Sequence, residues 1–345
     1  MLNTLYIASY EGKRLIKKVA RRIYATAHGI PKAYYKHQEH LDGIFLDLNK
    51  KVHLPRIDLH LSHACNLKCE NCCNFSPFKH GIIPEKEVID SIEKWSRRLA
   101  AGTVNLLGGE PFLHPNIDTI VAAARKSWGK SRIRIWTNGI LVPKLEDRVL
   151  KILGANDIFV MVSQHLNTEQ HNRDMKMSTQ RFRKFGIKFS ISKSYDGWMK
   201  MHQTDAEGHP IPWQSNPSDS YANCLHKHCT TIIGDQMCRC AVIINAYVAH
   251  HAKALKSDWN CISSPPLVSV EDPPEAILAH LRDGAVTDVC HFFLRKICVS
   301  SFIIRRYGKT RAKKATKCAQ CNGAAHHLTE KSKAIQCAHC SFSDH

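Results

Sequence analysis

The stretch Ile57-Asp-Leu-His-Leu61-Ser-His-Ala-Cys65-Asn-Leu-Lys-Cys69-Glu-Asn-Cys72 decides how the chain is read. Its first five residues read as a short β-strand, and the loop directly after them carries three cysteines at C-x3-C-x2-C spacing. Three thiolates within eight residues can hold three corners of a cubane iron–sulfur cluster and leave the fourth iron open to a non-protein ligand. The spacing alone also fits three ligands of a structural zinc, or a chance grouping in a cysteine-rich chain.

Outward from this stretch, short β-branched runs alternate with helical segments. Strands are predicted at Ile57–Leu61, Thr103–Leu107, Ile133–Thr137, Ile158–Ser163 and Lys188–Ser192. Helices are predicted near Pro84–Ala100, Asn116–Trp128, Lys144–Leu153 and Thr168–Phe185. Such alternation argues for consecutive right-handed βαβ units around a parallel sheet. The predicted fold is therefore α/β, a partial (β/α)6 TIM-type barrel with a small cysteine-rich C-terminal domain. In such barrels the chemistry sits just after the strand ends. There the sequence places Gly108-Gly109-Glu110-Pro111 after the second strand, Thr137-Asn138-Gly139 after the third, and Ser163-Gln164 at the end of the fourth.

In order and in position relative to the strands, this set resembles the radical S-adenosylmethionine (radical SAM) superfamily, over roughly residues 53–195. The segments Cys65 to Pro77, Leu107 to Pro115 and Thr137 to Leu141 look like a bacterial branch of it often associated with surface-sugar or secondary-metabolite gene clusters. The resemblance implies that Cys65, Cys69 and Cys72 ligate a [4Fe–4S] cluster whose open iron is chelated by SAM. It implies that Gly108, Gly109, Glu110 and Pro111 lie against the methionine moiety, with the Glu110 carboxylate near the ammonium. Ser163 and Asn138 would sit near the ribose, and Lys193 would meet the SAM carboxylate. The position before the third cysteine is often aromatic in the superfamily but is Asn71 here, so Phe75 is a substitute cover for the adenine. Cys73 is left out of the ligand set. The implied chemistry is reductive cleavage of SAM to a 5′-deoxyadenosyl radical that abstracts hydrogen from a substrate carbon, with the protein supplying orientation and exclusion of water.

Eleven of the fifteen cysteines lie in the last 122 residues. Two readings compete there. In one, the region resembles the SPASM or twitch extension of radical SAM enzymes, with a second [4Fe–4S] cluster on Cys229 (or Cys224), Cys240, Cys318 and Cys321. In the other, Cys318-x2-Cys321-x15-Cys337-x2-Cys340 is a zinc ribbon. Cys261, Cys290 and Cys298 are expected to be buried free thiols, and His165 is placed at the barrel mouth. Residues 195–223 read as a long connection of the kind that forms lids or substrate-binding segments.

The chain is thus divided into a basic segment (1–52), a core barrel (53–222) and a cysteine-rich region (223–345). In the basic segment, the pairs Lys13/Arg14, Lys17/Lys18 and Arg21/Arg22 alternate with apolar pairs to give an amphipathic helix. The first reading docks it on the body with its cationic face to water. The others are an interfacial helix on anionic lipid, an anion-gathering flap or an organellar presequence.

No run approaches the roughly 20 apolar residues of a membrane span. Fifteen cysteines without a secretory signal pattern argue for thiolate chemistry in a reducing cytoplasm. The formal charge of +19 calls for an anionic partner. The expected partners are an anionic small molecule such as a sugar nucleotide and an external one-electron donor such as flavodoxin or ferredoxin. A ribosomal peptide is the second substrate class. RNA binding through the basic stretch near Arg305–Lys314 is a third reading.

Overall fold

The computed structural model describes residues 2–27, 40–283 (except 195–197, 200, 208, 214, 225, 227, 257, 258, 260 and 261), 289–290 and four two-residue strands beyond them. After an N-terminal helix, α1 (Leu2–Ala27), comes a short strand β1 (Phe45–Leu46) and then the long β2 (Val52–Ser62). Strands β3 (Leu99–Gly108), β4 (Arg132–Thr137), β5 (Phe159–Ser163) and β6 (Lys188–Ser192) follow. They are separated by helices α2 (Glu85–Arg98), α3 (Ile117–Ser127), α4 (Asp147–Ala155) and α5 (Glu169–Lys184). Every predicted strand and helix of this segment is present, with ends displaced by a few residues.

Each helix is written into its own sequence. In α2, acidic Glu85 and Glu87 open the first turn and Arg97 and Arg98 close the last, matching the helix dipole. Its buried residues Val88, Ser91, Ile92 and Trp95 recur at helical spacing. They pack with Ile57, Leu59, Leu61, Val104, Leu106, Ile133, Ile135, Val160 and Val162 in one core cluster. These strand residues alternate, so the sheet's other face takes the intervening positions. On β2 that face carries Arg56, Asp58 and His60. The sheet is therefore apolar under the helices and polar on the opposite side.

The predicted barrel requires a correction. Strands β2 to β6 are parallel neighbours in sequence order. The sixth parallel strand, β7 (Thr231–Ile233), does not extend the row beyond β6. It pairs with the far side of β2, Thr231 opposite Asp58 and Ile232 opposite Leu59. Two antiparallel strands, β8 (Gln236–Cys238) and β9 (Val268–Ser269), continue outward from it. The result is an open, mostly parallel sheet, and not a barrel closing toward β6. A tight hairpin around Gly234, at φ 56°, sends β8 straight back beside β7. Asp58 N donates to Thr230 O at 2.7 Å, fixing the hairpin to β2.

Helix α6 (Pro217–Asn223) precedes this hairpin, and α7 (Ala241–His251) follows it. A second apolar cluster forms from Val242, Ile243, Ile244 and Ala246 of α7 with Phe75, Met201 and Trp259. Phe75 is fully buried there, edge-on to Trp259 at 5.6 Å between ring centroids.

Candidate active site

The polar face of the sheet opens into a cavity of about 350 Å³. Its walls include Cys65, Cys69, Cys72 and Cys73 from the loop after β2, Gly108 and Gly109 after β3, and Thr137 and Asn138 after β4. Ser163 and His165 after β5, Ser192 and Ser194 at β6, and His226, Cys229 and Thr231 at β7 complete them. The C-terminal ends of β2 to β6 and the start of β7 thus converge on the cysteine loop. The loop geometry holds them: Asn71 and Phe75 adopt left-handed backbone at φ 60° and 52°. Phe75 N donates to Cys72 O at 2.9 Å.

The two glycines stitch this loop to β3. Gly108 has φ 149°, and a Cβ there would stand 2.3 Å from Ser62 O; one on Gly109 would stand 2.0 Å from Ala64 O. Gly109 N donates to Ser62 O at 2.8 Å, Glu110 N to Ala64 O at 2.9 Å, and Asn74 Nδ2 to Gly108 O at 2.6 Å. No side chain fits between these backbones.

Glu110 does not line the cavity; it is buried beside it. Its carboxylate accepts from Thr137 Oγ1 at 2.7 Å, Asn138 N at 2.8 Å and Phe112 N at 3.1 Å. Burial nonetheless pushes the Glu110 carboxyl up to about 7, against the pull of those three donors. Pro111 opens a buried 3-10 turn and likewise faces away from the cavity. Asn138, held by Glu110, reaches the cysteine loop: its Nδ2 donates to Asn66 Oδ1 at 2.7 Å and lies 3.8 Å from Cys65 Sγ. Lys193 is exposed and off the cavity, whereas its neighbours Ser192 and Ser194 line it. Phe75, buried in the second core, does not line the cavity either and offers no surface to an adenine.

Several cavity residues carry no motif. Arg56 Nη2 donates to Cys229 Sγ at 2.8 Å, and its Nε lies 3.5 Å from Asp58 Oδ1. Asn105 Nδ2 donates to Asp58 at 2.6 Å, and burial raises the Asp58 carboxyl. Their signal is the run of polar residues at alternate positions of a strand otherwise buried. Beneath the loop, Lys79 is buried and donates to Asn245 Oδ1 at 2.5 Å. Burial lowers Lys79 to about 7, against the opposing effect of Cys72 and Cys73.

Burial also pushes the Cys65 thiol up to about 12 and those of Cys69 and Cys73 well above the ordinary range. Burial of this kind disfavours the free thiolate. Asn105 Oδ1, Trp136 Nε1 and Ser76 Oγ are buried on the cavity wall without a hydrogen-bond partner among the described residues. A polar ligand would satisfy them. Thiol set, wall and volume therefore fit a [4Fe–4S] cluster with SAM.

Around the β7–β8 hairpin, Cys240 has Cys224, Cys238 and Cys290 within electrostatic reach, and burial raises its thiol well above the usual range. Cys290, expected as an isolated buried thiol, is half-buried beside this group. Cys261, Cys298, Cys318, Cys321, Cys337 and Cys340 lie outside the described residues. No described helix is long and apolar enough to cross a membrane.

Residues 59–189 match the family model of the Radical SAM superfamily. Among curated relatives, the GTP 3′,8-cyclase of Aquifex aeolicus (strain VF5) is 31% identical over 132 residues, 36% of this chain and 39% of that one. The antilisterial bacteriocin subtilosin biosynthesis protein AlbA of Bacillus subtilis (strain 168) is 31% identical over 116 residues, 32% of this chain and 25% of that one. Streptococcus suis SuiB bound to S-adenosylmethionine superposes with a TM-score of 0.33 at 20% identity, covering 56% of this chain and 47% of that one. The chain spans well under half the length of the curated relatives it matches. Residues 59–189 thus match a radical SAM domain.

Proposed function

We propose that the chain binds a [4Fe–4S] cluster on Cys65, Cys69 and Cys72, binds SAM beside it, and abstracts hydrogen from an anionic small molecule. The observation that carries this reading is the convergence of three half-buried thiols and the neighbouring strand ends on one cavity. When bound, the cluster and SAM supply the electron and the carbon-centred oxidant; the other tasks belong to the chain. Asn138, Ser163, Ser192 and Ser194 offer hydrogen bonds along one wall. Glu110 is a positioning residue, which orders Thr137 and Asn138 against the cysteine loop. Lys193, being exposed, is left with no contact to SAM in this reading.

The anionic substrate rests on the floor of the polar face. Arg56 lines the cavity, and its charge, after burial and Arg132, disfavours charge on Arg134. Arg134 Nε has no hydrogen-bond partner among the described residues, and an anion beside the two guanidiniums would supply one. The Aquifex relative is named for GTP, an anionic nucleotide, which supports the sugar-nucleotide or nucleotide class. The relative named for subtilosin biosynthesis supports the peptide alternative.

The division of the chain at residues 52 and 222 belongs to this proposal, although β7 to β9 extend the same sheet. So does a second cluster near the hairpin, using Cys240 and Cys229 or Cys224 with Cys318 and Cys321; zinc is the alternative. Near eight irons per chain after anaerobic reconstitution supports the second cluster, and four irons with one zinc excludes it. Cytoplasmic residence and supply of electrons by flavodoxin or ferredoxin follow from the oxygen sensitivity such a site would have.

The decisive experiment incubates reduced, reconstituted protein with SAM and measures 5′-deoxyadenosine. Release that persists in Cys69→Ala would sink the assignment. Stimulation of release by nucleotides or sugar nucleotides, and not by peptides, supports the substrate class; the opposite result replaces it with the peptide reading.

A further inference from the structure

Helix α1 meets the body through one narrow face. Its partly covered residues are Asn3, Ile7, Tyr10, Arg14, Lys18 and Arg21, spaced three and four apart along a single stripe. Asn3 Nδ2 donates to Asp47 at 3.1 Å, Tyr10 Oη to Asp42 O at 3.1 Å, and Arg21 pairs with Asp42 at 2.7 Å. The Tyr10 ring stacks on Phe45 at 3.9 Å. This corrects the first sequence expectation, in which the cationic face turned to water. Asp42 and the carbonyls near it are the acceptors that draw Tyr10 and Arg21 inward.

The apolar side consequently faces out. At 100° per residue, Leu5, Ile16, Val19 and Ile23 lie diametrically opposite the docking stripe. Their exposures are 58%, 70%, 49% and 66%, and Leu2 and Leu15 are exposed beside them. Seven of the eleven large hydrophobic residues exposed among the described residues belong to this one helix. A stripe of this kind has a heavy cost in water unless something covers it.

We propose that this face lies on an anionic lipid surface. The occupant is selected by charge: the helix has six lysine and arginine residues against one glutamate. Lys13 and Lys17 border the apolar stripe on one side and Arg22 on the other. A second copy of the chain would set these like-charged borders against each other, whereas phosphatidylglycerol headgroups complement them while acyl chains receive Leu5, Ile16, Val19 and Ile23. The helix lies on such a surface and does not cross it. Arg14 and Glu11 border the N-terminal ends of the strands, so lipid contact leaves the thiol-lined cavity, at the other ends, open to solvent.

The test is flotation of the full chain with extruded phosphatidylcholine vesicles, with and without phosphatidylglycerol. The protein should float with the anionic vesicles only. Ile16→Glu/Ile23→Glu, with unchanged far-UV circular dichroism, should weaken binding at least about tenfold. Lys13→Gln/Lys17→Gln should weaken it about fivefold per charge, and more weakly as salt is raised. No flotation, or flotation indifferent to the glutamate pair, overturns the proposal. A dimer in sedimentation velocity that the glutamate pair dissociates also overturns it and gives the face to a second copy. Because 5′-deoxyadenosine release is not read, failure here is distinguishable from failure of the enzymatic assignment.

Discussion

The sheet has a cavity at each end of its strands, and the larger is not the one with the chemistry. At the N-terminal ends a cavity of about 830 Å³ is bordered by Arg14, Arg125, Lys130, Arg132 and Lys188. At the C-terminal ends the cavity of about 350 Å³ is bordered by thiols. The difference lies in what the polar groups already do. Arg125 donates to the carbonyls of Gly129, Ser131, Asn156 and Asp157, Lys188 pairs with Asp157, and Arg14 pairs with Glu11. Those charges hold loops together. At the other end, buried Asn105 Oδ1 and Trp136 Nε1 face the cavity without a partner among the described residues. Volume locates space; unsatisfied chemistry locates a site.

The largest expected contrast is catalytic. Cys69→Ala should lower 5′-deoxyadenosine release at least about a thousandfold, since the thiolates act as one unit. Lys130→Ala/Arg132→Ala, at the larger cavity, should leave release within about twofold. Comparable losses at both ends would break the distinction. Next comes a steric contrast between two glycines. Gly109→Ala sets a Cβ 2.0 Å from the backbone of Ala64 and should destabilise by about 3 kcal/mol or more, with loss of iron. Gly102→Ala, at the other end, meets Pro55 O at 3.1 Å and should cost about 1 kcal/mol with iron content retained. Urea denaturation and iron analysis of both variants check this.

Sequence reading was accurate where the signal was local and failed where a distant partner decided. Strands β2 to β6 announced themselves because each β-branched run precedes its own helix. Strand β7 was legible only as half of a hairpin-like stretch, Thr230 to Cys240, which its pairing with β8 bears out; its place beside Asp58, far back in the chain, was not. The cysteine loop and Gly108-Gly109 were legible as motifs, yet the glycines' physical reason, the approach to Ser62 and Ala64, was not. Lys193 lies off the cavity walls because it falls just beyond the end of β6, and no sequence pattern fixes the direction of such a residue. The Glu110 carboxylate turned toward Thr137 and Asn138, a rotamer no pattern encodes. For α1 the amphipathic division was visible, but its orientation depended on Asp42.

The third contrast is in pH. Because burial holds the Glu110 carboxyl near 7 in the fold against an ordinary 4.5, the fold favours its neutral form. Its contribution is complete below about pH 4.5 and is lost as pH rises through 7, so the cluster-free protein should lose on the order of 3 kcal/mol across that interval. Glu110→Gln, which has no titrating proton and keeps one of the two acceptor oxygens, should flatten the profile in thermal unfolding. A profile as steep in the variant would show that another group titrates.

The smallest effect belongs to the other end. Lys188 and Asp157 meet at 2.9 Å but are both well exposed. Lys188→Ala should therefore cost about 0.3 kcal/mol, vanishing in high salt, and leave the pH profile unchanged. A cost several times larger, persisting in salt, would mean that the larger cavity shields its charges from water, and its basic border would then have to be treated as an anion site in its own right. A small, salt-sensitive cost would instead leave the thiol-lined end as the place where the fold holds polar groups out of water for a ligand.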